Sequence, residues 1–335
     1  MPDRLDPQVH RQANLWGDAM LIFHEGEARV LEAGRPLPSR GLVWLDLVRS
    51  EAGWRDQLPP GVDLRLHSRH EEDILNTSHP PFFNKTREYD FLVFRGYDEA
   101  SGAHHPRTQP TAFVVMENLL VSIRDPQDTE FDALREGWLA GDVSIPTSAP
   151  SLLHRLLDAV VDELLSLREP VNALLTEWQE RLLDPHDPFS DWRQLMRMRN
   201  QLRWLSGTMD TQLNVIEKWR EDFSGELNQN LEIRFKDLED HIRRVGNHAE
   251  QNQGAIDALV QIHFAANGQR TNQVMQFLAA ISAIFLPLNL LVGYFGMNFT
   301  QMPFLTLPYA GLGMFVIILL VALLILWALR RRHWI

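Results

Sequence analysis

Two long uncharged runs near the end of the chain limit what it can fold into. Residues 274–295 carry no charge, and about 20 apolar residues suffice to take a helix across a bilayer core. A second run, 309–329, is closed by Arg330, Arg331, Arg332 and His333. The short segment 299–308 separates the two. This layout predicts two membrane spans, 271–298 and 309–335 with its basic tail, joined by an extracytoplasmic loop and preceded by a large soluble portion.

The first run carries a further pattern. Asn272, Met275, Ala279, Ser282, Leu286, Asn289 and Gly293 recur at alternating steps of three and four. That spacing puts them on one helical stripe, and a heptad keeps such a stripe along a seam between helices. Phe277, Ile281, Ile284, Phe285, Leu288 and Leu291 occupy other faces and suit lipid or a neighbouring span. Two readings of the stripe fit. Small residues allow helices to approach closely in membranes. Amides, a hydroxyl and a thioether are costly in lipid, however, and face a cavity or a partner, which suits a pore lining.

Charge is divided unevenly along the 335 residues. All 44 Asp and Glu precede Thr271, with 29 of the 32 Lys and Arg, so the soluble portion has a net charge of −15. Such a domain lacks the basic footprint that nucleic acid requires, and it concentrates cations beside a membrane. The chain has no cysteine, which excludes disulfides and thiolate metal sites. Its opening segment, MPDRLDPQVHRQANLW, has no apolar h-region and is not expected to be a signal peptide. Two spans place both termini on one side. The arginine cluster after the second span, against no Lys or Arg between the spans, predicts that side to be the cytoplasm.

Residues 1–150 read as a mixed α/β domain. Strand-like runs fall at 19–24, 28–32, 41–47, 89–97, 111–116 and 119–124, the last two joined by a tight turn at Glu117-Asn118. A short helix is expected at 70–77, stopped before Pro80 and Pro81, and a polar loop at 102–110. Residues 151–270 read as a helical hairpin and a stalk. Leu153, Leu156, Val160, Leu164, Leu167, Val171, Leu174 and Leu175 mark one helix, Asp184-Pro185-His186-Asp187-Pro188 ends it, and a second runs from Asp191 to about Asp222. After Gly225 a single helix from about Leu227 to Phe295 is expected, on the order of 100 Å long. Its soluble half is polar on most faces, so neighbouring copies or the preceding hairpin must cover it.

Tyr294-Phe295-Gly296-Met297-Asn298-Phe299, closing the first run, resembles the signature of the CorA family of magnesium channels, to whose superfamily the ZntB-type zinc transporters also belong. The preceding IFLPLNLLVG and TNQVM, the terminal RRRHWI, EEDILN (71–76) with its Pro pair and YDFLVF, and FKDLEDH (235–241) are similar as well. The resemblance implies a cytoplasmic α+β domain with α/β/α layering, a long stalk helix, two transmembrane helices and a funnel-shaped homopentamer in the cell inner membrane. It also implies that Asn298 selects the ion, with Gly296 and Met297 shaping the turn that presents it. One pore helix per chain cannot enclose a channel, so symmetric copies are needed on physical grounds too. A helix C-terminus there adds roughly half a negative charge, though Asn298 could equally serve as a helix C-cap.

No acid follows Thr271, so the membrane path offers no carboxylate to strip an ion of its water. Magnesium keeps its waters tightly, and a ring of amides suits a hydrated divalent ion. The loop FTQMPFLTLP is neutral, with Thr300, Gln301 and Phe304 where the magnesium channels carry acids; a neutral loop is a feature of the zinc transporters. Mg2+ and Zn2+ both remain open, with Co2+ and Ni2+ as further candidates, and no other cofactor is expected.

The resemblance further implies that Asp237 and Asp73 face each other across subunits and bind regulatory cations. Asp240 and Glu72 are companions, and a solvated acidic face is the alternative. Asp237, His241 and His248 share helical spacing that could suit zinc, while His67, His70, His104 and His105 read as surface or loop residues. There is no Gly-rich phosphate loop, H-E-x-x-H or nucleophile elbow, and no enzyme is expected. The alternative to transport is a non-conducting, membrane-anchored cation sensor or scaffold.

Overall fold

The computed structural model of the chain describes residues 20–31, 40–49, 53–58, 62, 64–126, 128–129, 131–183, 192–225, 227–297 and 309–331. Expected features at Ala19, Glu32, Asp184-Pro188, Asn298, the loop 299–308 and the tail beyond Arg331 lie outside the described residues. The chain divides into two compact units, Met1–Leu259 and Val260–Ile335.

The first unit contains strands β1 (Met20–His24), β2 (Glu27–Val30), β3 (Leu42–Val48), β4 (Phe82–Lys85), β5 (Asp90–Tyr97), β6 (Thr108–Val115) and β7 (Leu119–Arg124). They form one sheet in the order β2-β1-β3-β7-β6-β5-β4. All pairs are antiparallel except β3 with β7, whose crossover contains helix α1 (Ser68–Leu75). Alternation gives the sheet two apolar faces. Val43, Leu45, Phe91, Val93, Val121 and Ile123 bury on one face with Trp54 and with Ile74 of α1. On the other, Trp44 meets Phe131 and Trp138 edge-on, ring centroids 6.0 and 5.6 Å away. Trp138 belongs to α2 (Asp132–Ala140), so the sheet lies between helical layers, as expected.

Three local departures from the sequence reading have physical causes. The edge strand β4 buries only Phe83, so its four residues carry no alternation that a sequence could reveal. Strand β6 starts at Thr108, inside the expected loop, and includes Pro110. Pairing of β6 with β7 starts at Ala112, so Pro110 needs no N–H on that side; its carbonyl accepts from Arg49 Nη2 at 2.6 Å. The apolar run expected as one helix is two, α3 (Ala149–Ser166) and α4 (Arg168–Leu183), divided at Leu167. Pro170 has no N–H for the carbonyl of Ser166, and a new helix can hold it only in the first turn.

Helix α5 (Trp192–Asp222) packs on β4 and β5 and runs against the start of α6 (Gln229–Phe295). Trp219 meets Phe235 with centroids 5.1 Å apart, Arg220 pairs with Glu239, and Arg243 Nη2 lies 3.2 Å from Glu217 Oε1. Further along, Ser206 Oγ donates to Glu250 at 3.3 Å and Arg199 pairs with Asp257. Leu231, Phe235, Leu238, Ile242, Val245, Ala249, Ile256 and Leu259 are buried, a stripe at steps of three, four and seven. The hairpin anticipated from sequence thus covers the one apolar face that α6 has in this unit.

In the second unit α6 continues through Pro287 to Phe295, and α7 spans Ala310–Arg331. These two helices are the ones, among the described residues, long and apolar enough to cross a membrane.

Asp128, beyond the end of β7, is 5% exposed; its carboxylate accepts from the Gln109 amide and, at 3.2 Å, from the Asp125 N–H. Burial above all pushes its carboxyl up from 3.8 to about 7, with Asp125 adding repulsion. Across that window the unfolded chain has lost a proton that the folded chain keeps, so stability falls as pH rises through it. Asp128→Asn is therefore expected to melt above wild type near pH 8 and level with it below pH 4, as followed by circular dichroism.

Candidate functional site

Asp237 and His241 stand one turn apart on α6, and Asp158 and Asp162 one turn apart on α3. Two contacts hold these helix faces together: His154 Nε2 lies 3.0 Å from the Arg234 carbonyl, and its ring meets Phe235 at 5.1 Å. One and two turns beyond His154, the two α3 aspartates consequently face His241. Its Nδ1 lies 3.9 Å from Asp158 Oδ1 and 3.7 Å from Asp162 Oδ1, while its Nε2 lies 3.7 Å from Asp237 Oδ2. One ligand atom each from Asp158, Asp162 and His241 fall within 4.8 Å of one another.

The electrostatics suit a cation. Burial first, and then Asp158 and Asp237, lift the Asp162 carboxyl above its ordinary range, although His241 opposes this. Among the described residues, His241 Nδ1 is buried without a hydrogen-bond partner. Carboxylates with one imidazole can hold magnesium through its waters, or zinc and cobalt directly.

The other soluble candidates lie elsewhere in this single chain. Asp240 faces Arg243, Oδ1 to Nη1 3.4 Å; Asp73 pairs with His79, Oδ1 to Nε2 3.1 Å; Glu72 is exposed on α1. His248 keeps the stripe with His241, two turns on, but lines a small apolar pocket with Leu164, Leu167 and Val171. Burial, and then Arg168, hold its imidazole below the ordinary value. His70 is a correction too: it is 6% exposed, stacked on Phe91 at 4.3 Å with Nδ1 2.8 Å from the Tyr89 hydroxyl, because α1 closes over the sheet. Asp158 and Asp162 were not singled out from sequence. Their signal was two acids four residues apart inside the apolar run LLDAVVDELL.

In the second unit, Asn272, Met275, Ala279, Ser282, Leu286, Asn289 and Gly293 share one side of α6 and are all exposed. Phe277, Ile281 and Phe285 are exposed as well, so the single chain does not distinguish the stripe from the remaining faces. After α6 ends, Gly296 N–H donates to the Val292 carbonyl at 2.8 Å and Met297 N–H to Tyr294 at 3.4 Å. A Cβ at Gly296 would lie 3.0 Å from that Val292 oxygen, so glycine suits this tight exit.

A layered α/β unit, one very long helix and a second, apolar helix closed by two arginines define a class of membrane protein. Residues 39–331 match the family described as CorA-like Mg2+ transporter protein, and the chain belongs to this family. It is 23% identical over 270 residues to the cobalt/magnesium transport protein CorA of Thermotoga maritima, covering 80% of this chain and 77% of that protein. It is 23% identical over 310 residues to the magnesium transport protein CorA of Escherichia coli strain K12, covering 91% and 95%. Its fold is similar to the complete structure of the CorA magnesium transporter from Methanocaldococcus jannaschii, with a TM-score of 0.81, 14% identity, and 94% and 98% coverage.

Asp158→Asn/Asp162→Asn keeps side-chain size and removes two charges. In EDTA this variant is expected to melt above wild type. Adding Mg2+ or Zn2+ should then stabilise the wild type by about 2.7 kcal/mol at a hundredfold excess over Kd, raising its midpoint, and leave the variant unmoved in calorimetry.

Proposed function

We propose that this chain is a divalent metal cation transporter that works as a homopentamer in the cell inner membrane, with both termini in the cytoplasm. The observation that best supports the reading is the uncharged polar stripe on an apolar helix that the described chain leaves uncovered, in a member of the CorA family. Relatives named for magnesium or cobalt transport fit it.

In this reading residues 1–150 form the cytoplasmic α/β domain and 151–270 the hairpin and stalk. Residues 271–298 line the pore, 299–308 form the outer loop, and 309–335 hold the second span and basic tail. Copies related by closed rotation bring five stripes around one axis. Asn272, Met275, Ala279, Ser282, Leu286, Asn289 and Gly293 face the passage, and Gly296 and Met297 present Asn298 at its mouth. With no carboxylate in the path, the ion passes hydrated, Mg2+ or Zn2+ being the two that fit.

Asp158, Asp162, Asp237 and His241 form a regulatory site, where a bound cation offsets carboxylate repulsion. Asp73, with Glu72, and Asp240 belong to the acidic surface that meets a neighbouring copy. Losing the cations loosens these contacts and shifts the ring between states.

The test is ion flux into proteoliposomes with magnesium, zinc and cobalt side by side, with and without a proton gradient. Wild type is expected to carry at least one of them, and Asn298→Ala to carry it about tenfold more slowly, the worth of one strong hydrogen bond. Background flux for all three, equal in wild type and variant, refutes transport and leaves the cation-sensing scaffold.

A further inference from the structure

The unit Val260–Ile335 contains four arginines, Arg270, Arg330, Arg331 and Arg332, and no acid. It has no side-chain carboxylate of its own to neutralise them. Arg330 and Arg331 form the last turn of α7, a helix whose large apolar side chains are broadly exposed. Among the described residues neither arginine has an ion-pair partner of its own unit. The Arg331 guanidinium lies over the Trp327 ring, 5.3 Å from its centroid, and Trp327 is 60% exposed.

A helix C-terminus attracts cations, but its roughly half a negative charge cannot balance two or three arginines. The ring under Arg331 contributes attraction without using its hydrogen-bond donors. Those donors, in a fixed planar fork, match a phosphate. The ring itself is amphipathic and settles at the depth where lipid headgroups lie.

From this arrangement we infer that Arg330, Arg331 and Trp327 bind the phosphate of an anionic phospholipid headgroup at the end of α7. Charge complementarity selects the occupant: anionic lipid supplies the counter-charge that this unit lacks, whereas zwitterionic lipid brings a cation of its own. The inference rests on the reading of α7 as a membrane span.

The experiment uses purified full-length protein, delipidated and then rebound to phosphatidylglycerol or phosphatidylcholine in mixed micelles, with retained lipid counted by native mass spectrometry. Wild type is expected to retain phosphatidylglycerol preferentially. Arg330→Gln/Arg331→Gln should reduce that preference about 25-fold, about fivefold for each arginine. Trp327→Leu, which keeps the span apolar, should reduce it about twofold to fivefold. Equal retention of both lipids by wild type, or an unchanged preference in the double variant, overturns the inference. So does inorganic phosphate binding with the same affinity as the lipid, which would mark a site for the free anion. Alkaline extraction from vesicles separates the two failures. Release of the protein would remove the membrane reading itself, whereas an inserted protein with no lipid preference fails this inference alone.

Discussion

Phe235 is wholly buried between the rings of His154 and Trp219, each centroid 5.1 Å away. That contact joins three helices, α3, α5 and α6, and it sets their rotation about their own axes. Aromatic contacts of this kind have preferred geometries, so they fix orientation as well as burying area. Once Phe235 is seated, helical periodicity carries Asp237 and His241 to the face of α3 that bears Asp158 and Asp162. The acidic group is therefore a consequence of core packing, and removing the ring would disperse it before any charge was touched.

The same group shows why a stable fold tolerates mutual repulsion. Burial, and then the neighbouring Asp158 and Asp237, raise the proton affinity of Asp162, and a ring nitrogen of His241 is left unmatched among the described residues, both unfavourable in isolation. The buried stripe from Leu231 to Leu259 and the outer pairs Arg220–Glu239 and Arg199–Asp257 hold α6 against that repulsion. Packing away from the acidic group thus bears its local cost.

Much of this was legible in the chain itself. The uncharged runs, the unbroken helix to Phe295 and the turn at Glu117-Asn118 follow from composition and period, which act locally. The Gly-Met sequence after Phe295 also stood out, since Gly296 meets a steric need that a short motif can encode. Less was readable where tertiary contact decides. His70 looks like any polar helix residue until the sheet beneath it is known. Asp158 and Asp162 meet His241 only when α6 arrives from some 80 residues later, as the His154–Arg234 contact shows. The division at Leu167 was hidden because the apolar spacing passes through it while Pro170 alone interrupts the backbone.

The sheet has two open borders, β2 and β4, each only four residues long. Both carry charge, Glu27 and Arg29 on one and Lys85 on the other, and Lys85 is tied to Asp222 and Ser224 at the end of α5. Brief, charged borders of this kind discourage a strand from a second molecule from adding on. Growth by extending the sheet is thereby blocked in both directions. Helices and loops are left as the surfaces through which copies of this chain can meet.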